Sequence, residues 1–139
     1  MRWMLLALLT TATTTAHSAG VSDASPAQPE PIASAFLEHV GKGEVDGAMG
    51  SLPLCAALAA KTQQLTLLKG QINTSLSLYG GYLGIEKVRM TEYSPSLLRV
   101  VYIMKREQGF LVWNFYFYRA TDRWEVTALF FSDQPTGLD

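Results

Sequence analysis

Residues 84–132 read as four consecutive β-strands rich in aromatic side chains, and both faces of the sheet they predict are apolar. The strands are GIEKVRMTEY, SLLRVVYIMKRE, GFLVWNFYFYRA and RWEVTALFFSD. An antiparallel sheet with one solvated face alternates apolar and polar residues along each strand, and these strands do not. Each face is therefore expected to pack against something. The helical first half of the chain should cover one face, and a second copy, a ligand or a partner should cover the other.

Turn residues set the expected register of these strands. Gln108-Gly109 predicts a two-residue hairpin turn that pairs Met104 with Trp113. Thr121-Asp122 closes the next hairpin and pairs Phe117 with Val126. The face expected to meet the helices then carries Val100, Tyr102, Met104, Trp113, Phe115, Phe117, Val126, Ala128 and Phe130. The opposite face carries Arg99, Val101, Ile103, Val112, Asn114, Tyr116, Tyr118, Glu125, Thr127, Leu129 and Phe131. A one-residue error in either loop would exchange the faces.

The turn at residues 94–96 is less clear. It leaves open which residues of the first strand join the helix-covered face. Either Lys87 and Arg89 or Val88 and Met90 would do so.

Hydrophobic spacing predicts three helices ahead of the sheet, over residues 31–41, 44–50 and 56–79. Pro31 suits the first turn of the first helix, and Gly80-Gly81 ends the third. The apolar stripe of the third helix is Leu58, Leu65, Leu68, Ile72, Leu76 and Tyr79. The chain is thus predicted to be one α+β domain, with N-terminal helices packed on a four-stranded antiparallel meander.

The N-terminus predicts export. Arg2, a short apolar run and a small-residue exit at Ala16-His17-Ser18 are typical of a secretory signal peptide over residues 1–18. The alternative is an uncleaved membrane anchor, for which the apolar run is short. Residues 19–30 then form a flexible lead-in, residues 31–133 the domain and residues 134–139 a tail. The protein should act in a periplasm or an extracellular space.

Charge and cysteine content narrow the function. Loss of Arg2 with the signal leaves ten basic side chains against twelve acidic ones, a net charge of −2. This balance gives no electrostatic case for nucleic acid or for an anionic membrane. Cys55 is the only cysteine, so no intrachain disulfide can form. We expect it to be a small buried side chain, with an intermolecular disulfide or a reactive thiol as alternatives.

The chain resembles the nuclear transport factor 2-like superfamily, which also contains ketosteroid isomerase and the SnoaL-like cyclases. The resemblance covers roughly residues 30–133. It is carried by Ala35-Phe36-Leu37 with Gly43-Glu44-Val45-Asp46-Gly47-Ala48, by Gly81-Tyr82-Leu83-Gly84-Ile85-Glu86, and by the block from Trp113 to Arg119 with Trp124-Glu125-Val126. That last block looks like small exported bacterial proteins of unknown function. The resemblance implies a cone-shaped fold, a curved sheet wrapped around helices, whose members often dimerise through the outer sheet face.

Catalytic chemistry is not indicated by the residues. An isomerase of this fold uses a carboxylate base inside the cone, where an apolar pocket raises its pKa. The predicted inner face holds no Asp or Glu, and the nearest candidates are Glu38, Asp46 and Glu86. His39 follows Phe36 by three residues and could turn inward as a base, but a surface or partly buried histidine is the favoured interpretation. No metal site, cofactor motif or nucleophile motif is present in the sequence, so no catalytic residue, metal or cofactor is predicted.

Two sets of residues remain as candidate sites. Tyr102, Trp113, Arg119, Trp124 and His39 are candidates for a ligand pocket at the mouth of the cone, where one cation among aromatic walls suits a small apolar or anionic ligand. The alternative is a plain core in which Arg119 stacks on Trp124. The candidate dimer face is Val101, Ile103, Val112, Asn114, Tyr116, Tyr118, Leu129 and Phe131.

The function predicted is a non-catalytic binding or interaction module that forms a homodimer. The alternatives are an isomerase- or cyclase-like enzyme and a carrier for a small hydrophobic ligand.

Overall fold

The computed structural model describes residues 27–139, and the predicted signal peptide and most of the lead-in lie outside the described residues. The helices are α1 (Pro29–Gly41), α2 (Val45–Ser51), α3 (Ala56–Ala59) and α4 (Thr62–Leu78). The strands are β1 (Tyr82–Ser94), β2 (Leu97–Arg106), β3 (Gly109–Tyr118) and β4 (Glu125–Ser132), followed by a 3-10 helix at Pro135–Leu138. The four strands form one antiparallel meander in chain order, which confirms the predicted α+β class. Within residues 27–139 no helix has the length and apolarity that a membrane span requires.

The helices sit on one side of the sheet, which we call the inner face. Phe36 of α1 meets the rings of Trp113 and Phe115 edge-on, with centroid distances of 5.8 and 5.7 Å. All three side chains are essentially inaccessible to solvent. Edge-to-face pairs of this kind add about 0.5–1.5 kcal/mol each beyond the burial of their area. This contact fixes α1 across the middle of the sheet.

The β2–β3 turn lies one residue earlier than predicted. Glu107 and Gln108 form the loop, and Gly109 already pairs with Arg106. Tyr102 therefore faces Trp113 rather than Phe115, a register shift of two residues. Because side chains alternate with period two, this shift leaves each side chain on its predicted face. Gly109 also lets the ring of Tyr79 approach, since a Cβ there would lie 2.7 Å from that ring.

A β-bulge in β4 exchanges the faces of its second half. Phe117 pairs with Val126 as predicted, but the register shifts at the next position, so that Phe115 pairs with Leu129 and Trp113 with Phe131. One extra residue in a strand reverses the direction of every side chain beyond it. The assignments of Ala128 and Phe130 to the inner face and of Leu129 and Phe131 to the outer face were therefore wrong.

A second bulge resolves the open question on β1. The register shifts between Lys87 and Arg89, so that Lys87 lies opposite Tyr102 and Met90 opposite Val100. Lys87 from one predicted alternative and Met90 from the other therefore both lie on the inner face. Lys87 reaches α1, where its Nζ lies 2.9 Å from the Glu30 carboxylate.

The predicted long helix is divided at Ala60 and Lys61 into α3 and α4. The two helices have different partners, because α3 contacts β4 whereas α4 contacts α2. The predicted apolar stripe is nevertheless the side that packs against the core, with Ile72 and Leu76 buried. The first helix begins at Pro29, two residues earlier than expected.

Arg106 ties the ends of two helices to the sheet. Its buried guanidinium donates to the carbonyl oxygens of Gly41, Leu76 and Gly80. The carbonyls of Gly41 and Leu76 belong to the last turns of α1 and α4, where they carry partial negative charge and lack partners within their helices, and Gly80 follows the end of α4. Burial lowers the pKa of Arg106. The arginine is thus paired with backbone oxygens in place of a carboxylate.

The bulge in β4 makes a direct prediction for two adjacent phenylalanines. Phe131 stacks on Trp113 with a centroid distance of 4.8 Å, whereas Phe130 is 50% exposed. Phe131→Ala should lower the free energy of unfolding by about 2–3 kcal/mol, because it leaves a void against the core. Phe130→Ala should cost less than about 1 kcal/mol. Urea denaturation of both variants is the measurement, and equal or reversed losses would contradict the bulge.

Candidate functional site

The interior of the domain holds no carboxyl, histidine or thiol side chain among the described residues. Within residues 27–139 the buried polar or charged side chains are Arg99, Arg106 and Asn114, and no carboxyl group there is buried. Glu38, Asp46 and Glu86 are exposed. Trp113, predicted to line a pocket, is wholly enclosed between Phe36, Phe115 and Phe131. Its indole N–H is buried without a hydrogen-bond partner in the described part of the chain.

His39 lies on the exposed side of α1, away from the core. Its Nδ1 is 2.5 Å from the Glu44 carboxylate. That hydrogen bond lowers the pKa of Glu44 below its usual range, and the charge of His39 adds to the effect. Both side chains are more than half exposed. The pair therefore links the end of α1 to the start of α2 and does not reach the pocket in which His39 was predicted.

Arg119 and Trp124 do come together at one end of the sheet. The guanidinium of Arg119 lies over the indole of Trp124, 4.7 Å from the ring centroid. It also donates to the carbonyl of Pro95 at 3.0 Å. This stacking is the arrangement that the plain-core alternative described. The two residues nevertheless line a pocket of about 380 Å³ between the start of α1 and the sheet.

Tyr102 lies close to that pocket but is almost fully buried. Its hydroxyl makes a long contact of 3.5 Å with the backbone carbonyl of Glu30 in α1. Burial raises the pKa of Tyr102, and the charge of Glu30 adds to this rise. The hydroxyl is thus a neutral group that helps to position α1 over the sheet.

No metal or thiol site emerges from the described residues. Within residues 27–139 no three His, Cys, Asp or Glu side chains gather closely enough to hold a metal ion. Cys55 is partly buried at the start of α3, and its backbone N–H donates to Val126 at 3.0 Å.

The outer face, opposite the helices, is partly covered by the chain itself. Residues 133–139, here called the C-terminal segment, fold back as the 3-10 helix and contact β3 and β4. Asn114 donates to the carbonyl of Gly137 at 2.9 Å, and Arg99 donates to the backbone oxygen of Asp139 at 2.6 Å. Arg99 also bonds the Asn114 side chain through its Nε, at 2.8 Å. The predicted tail is therefore an ordered part of the fold.

This cover changes the predicted dimer face. Val101, Val112 and Asn114 are at most 2% exposed within the single chain. Leu129 and Phe131 lie on the inner face, because of the bulge in β4. Ile103 and Tyr116 keep partial exposure, and Tyr118 is exposed. The centre of the predicted surface is thus buried, and its accessible part lies beyond the C-terminal segment.

Four aromatic side chains remain accessible on the outer face, and we call them the aromatic strip: Tyr93, Tyr116, Tyr118 and Phe130. Tyr93 stacks on Tyr116 with a centroid distance of 6.4 Å, and Phe130 lies 5.8 Å from Tyr116 on the other side. Tyr93, Tyr118 and Phe130 are 53, 46 and 50% exposed. Arg99 lies beneath, 5.9 Å from the Tyr116 ring.

Sequence reasoning missed two members of the strip and most of the pocket. Tyr93 and Phe130 belong to strands whose bulges place them on the outer face, and no turn signal in the sequence marks those bulges. Met90, Glu92 and Leu98 line the pocket beside Arg119 and Trp124. Because the turn at residues 94–96 was uncertain in the sequence, the position of these three residues next to Trp124 could not be predicted.

Comparison with known proteins supports the architecture. A crystal structure from Campylobacter jejuni, described as an NTF2-like transpeptidase, is similar to this chain with a TM-score of 0.53 and 14% sequence identity. The similarity covers 73% of this chain and 99% of that one. The chain has a nuclear transport factor 2-like fold. No protein-family model matches the chain, and no curated protein does. At this identity the likeness concerns the nuclear transport factor 2-like fold alone.

A hydrogen bond between Tyr79 and Asp133 gives the C-terminal segment a testable pH dependence. The Tyr79 hydroxyl donates to the Asp133 carboxylate at 2.5 Å, which lowers the pKa of Asp133 and raises the pKa of Tyr79. A carboxyl with a lowered folded pKa stabilises the fold above its unfolded pKa of about 4 and loses that effect as pH falls. The tyrosine loses its contribution only as pH rises above about 10.

Tyr79→Phe should therefore destabilise the protein at pH 7 but much less at pH 3. Amide hydrogen exchange of residues 134–138 should quicken in the variant at pH 7. Thr66→Ala, which removes an exposed hydroxyl bond within α4, is the control. Equal exchange in Tyr79→Phe and the parent protein at pH 7 would contradict an anchoring role for this bond.

Proposed function

We propose that this protein is a non-catalytic interaction module that pairs with a second copy of itself through the aromatic strip. The observation that carries the proposal is the exposure of Tyr93, Tyr118 and Phe130 next to the partly exposed Tyr116 on the outer face of the sheet. The core, in contrast, offers no buried carboxyl, histidine or thiol among residues 27–139.

The composition of the strip is that of a protein contact surface. Tyrosine and phenylalanine are enriched at interfaces, where they bury a large area at a small cost in side-chain entropy. Three rings of the strip, those of Tyr93, Tyr116 and Phe130, already contact one another, so their positions are partly fixed before any partner binds. A preorganised surface loses less entropy on association.

A second copy suits this surface because the strip carries no net charge of its own. The one charged side chain beneath it, Arg99, is turned to Asn114 and Asp139. Two strips related by a two-fold axis would therefore meet ring against ring without like charges opposed. The C-terminal segment would lie at the rim of such an interface.

Transpeptidase activity, which the description of the C. jejuni structure names for that protein, is not part of the proposal. Such a reaction needs a serine or cysteine nucleophile beside a base. Here the only histidine of residues 27–139 bonds Glu44, and it is exposed. The predicted signal peptide supports a place of action outside the cytoplasm, in a periplasm or an extracellular space.

The proposal predicts that one charge in the strip separates the copies. Tyr116→Asp should weaken self-association at least tenfold, because pairing would bury two unpaired carboxylates against aromatic rings. Size-exclusion chromatography with light scattering is the measurement. Leu67→Asp places the same charge at an exposed apolar position of α4 and should leave association unchanged.

Phe130→Asp provides a second test within the strip, and circular dichroism should show that each variant is folded. If both strip variants associate like the parent protein, or if the parent protein is a monomer at about 100 µM, the proposed interface is wrong.

A further inference from the structure

A second binding site, independent of the aromatic strip, is suggested by the pocket beside Arg119. It lies on the inner side of the sheet, between the first turn of α1 and the ends of β1 and β2. Its volume of about 380 Å³ lies at the small end of the range found for ligand sites. The residues that the argument uses are Glu30, Met90, Glu92, Leu98, Arg119 and Trp124.

Arg119 is held in place but retains hydrogen-bonding capacity. Its guanidinium lies over the Trp124 ring, 4.7 Å from the ring centroid, and one of its nitrogens donates to the carbonyl of Pro95. A guanidinium has five N–H donors in a rigid plane, so this single bond leaves several available. Within residues 27–139 no carboxylate lies within ion-pair distance of it. Arg119 is thus a preoriented cation at the wall of the pocket.

Glu92 supplies the opposite charge on the same pocket. It projects from β1, and it forms no ion pair with any side chain of the described range. Glu30, the other acid at the pocket, is already paired with Lys87 at 2.9 Å. The pocket therefore presents one cation and one unpaired carboxylate that do not bond each other, and Met90 and Leu98 provide an apolar wall.

We propose that this pocket binds a small zwitterion with an apolar side chain, of the size of an amino acid or a dipeptide. The ligand carboxylate would accept hydrogen bonds from Arg119, and the ligand ammonium would donate to Glu92. The apolar side chain would cover Met90 and Leu98. Its binding does not depend on the proposed pairing of two copies.

The charge arrangement favours a zwitterion over a simple ion. An anion drawn to Arg119 would be repelled by Glu92 and Glu30, and a cation drawn to Glu92 would be repelled by Arg119. A molecule that carries both charges can bind Arg119 through its carboxylate and Glu92 through its ammonium at the same time. A pocket of about 380 Å³ has the size to hold an amino acid or a dipeptide.

Nuclear magnetic resonance titration with leucyl-leucine tests this proposal. The Trp124 indole N–H resonance should shift on addition of the dipeptide, because that ring lines the pocket. N-acetyl-leucyl-leucine lacks the ammonium, and leucyl-leucine amide lacks the carboxylate, so each should bind more weakly than the parent dipeptide.

Two variants assign the charges to their partners. Arg119→Gln should weaken leucyl-leucine binding about tenfold but leave the affinity for the amide unchanged. Glu92→Gln should weaken leucyl-leucine binding about threefold, since Glu92 is exposed, and should leave the affinity for the N-acetyl form unchanged. Arg123→Gln, which removes an exposed cation that does not line the pocket, should have no effect on any of the three.

Two results would overturn the proposal. One is the absence of any shift of the Trp124 resonance at about 10 mM leucyl-leucine, far above the range of useful affinities. The other is an equal response of all three ligands to Glu92→Gln. If Arg119→Gln fails to fold, Glu92→Gln alone decides, because its exposed side chain makes no contact that the fold requires. Loss of pairing in the strip variants would leave these titrations unchanged.

Discussion

The packing of Phe36 against Trp113 and Phe115 is the contact on which the rest of this structure depends. It holds α1 across the inner face of the sheet and brings the ends of the helices to Arg106, whose guanidinium satisfies their carbonyls. Aromatic rings fill the centre of the domain, and no carboxyl or histidine side chain is buried among the described residues.

The outer face shows how a single inserted residue changes which aromatic rings are exposed. The bulge in β4 turns Phe131 into the core and Phe130 to the surface, where Phe130 joins Tyr116 and Tyr93 in the aromatic strip. The C-terminal segment covers the neighbouring part of the sheet through Asn114 and Arg99. An apolar face is thus divided into one part covered within the chain and one part left accessible.

Much of this fold could be predicted from the sequence, because hydrophobic periodicity and turn residues report on local structure. The four strands, the stripe of α4 and the pair Phe117–Val126 all follow from such signals. The bulges could not be predicted, since they depend on long-range packing of rings such as Phe131 on Trp113 rather than on a glycine or proline. The C-terminal segment was missed for a similar reason: Gly137 is recognised by Asn114, a residue 23 positions away. The prediction of Arg119 beside Trp124 relied only on their proximity in one hairpin.

Native mass spectrometry of the protein purified without denaturation tests the central claim most directly, namely that the accessible aromatic strip is a contact between two copies. The account predicts a main species at twice the chain mass, which dissociates to single chains when the strip carries a charge. A single-chain species at every concentration tested would contradict it. So would a dimer that persists unchanged when the strip is charged, since the contact would then lie elsewhere on the molecule.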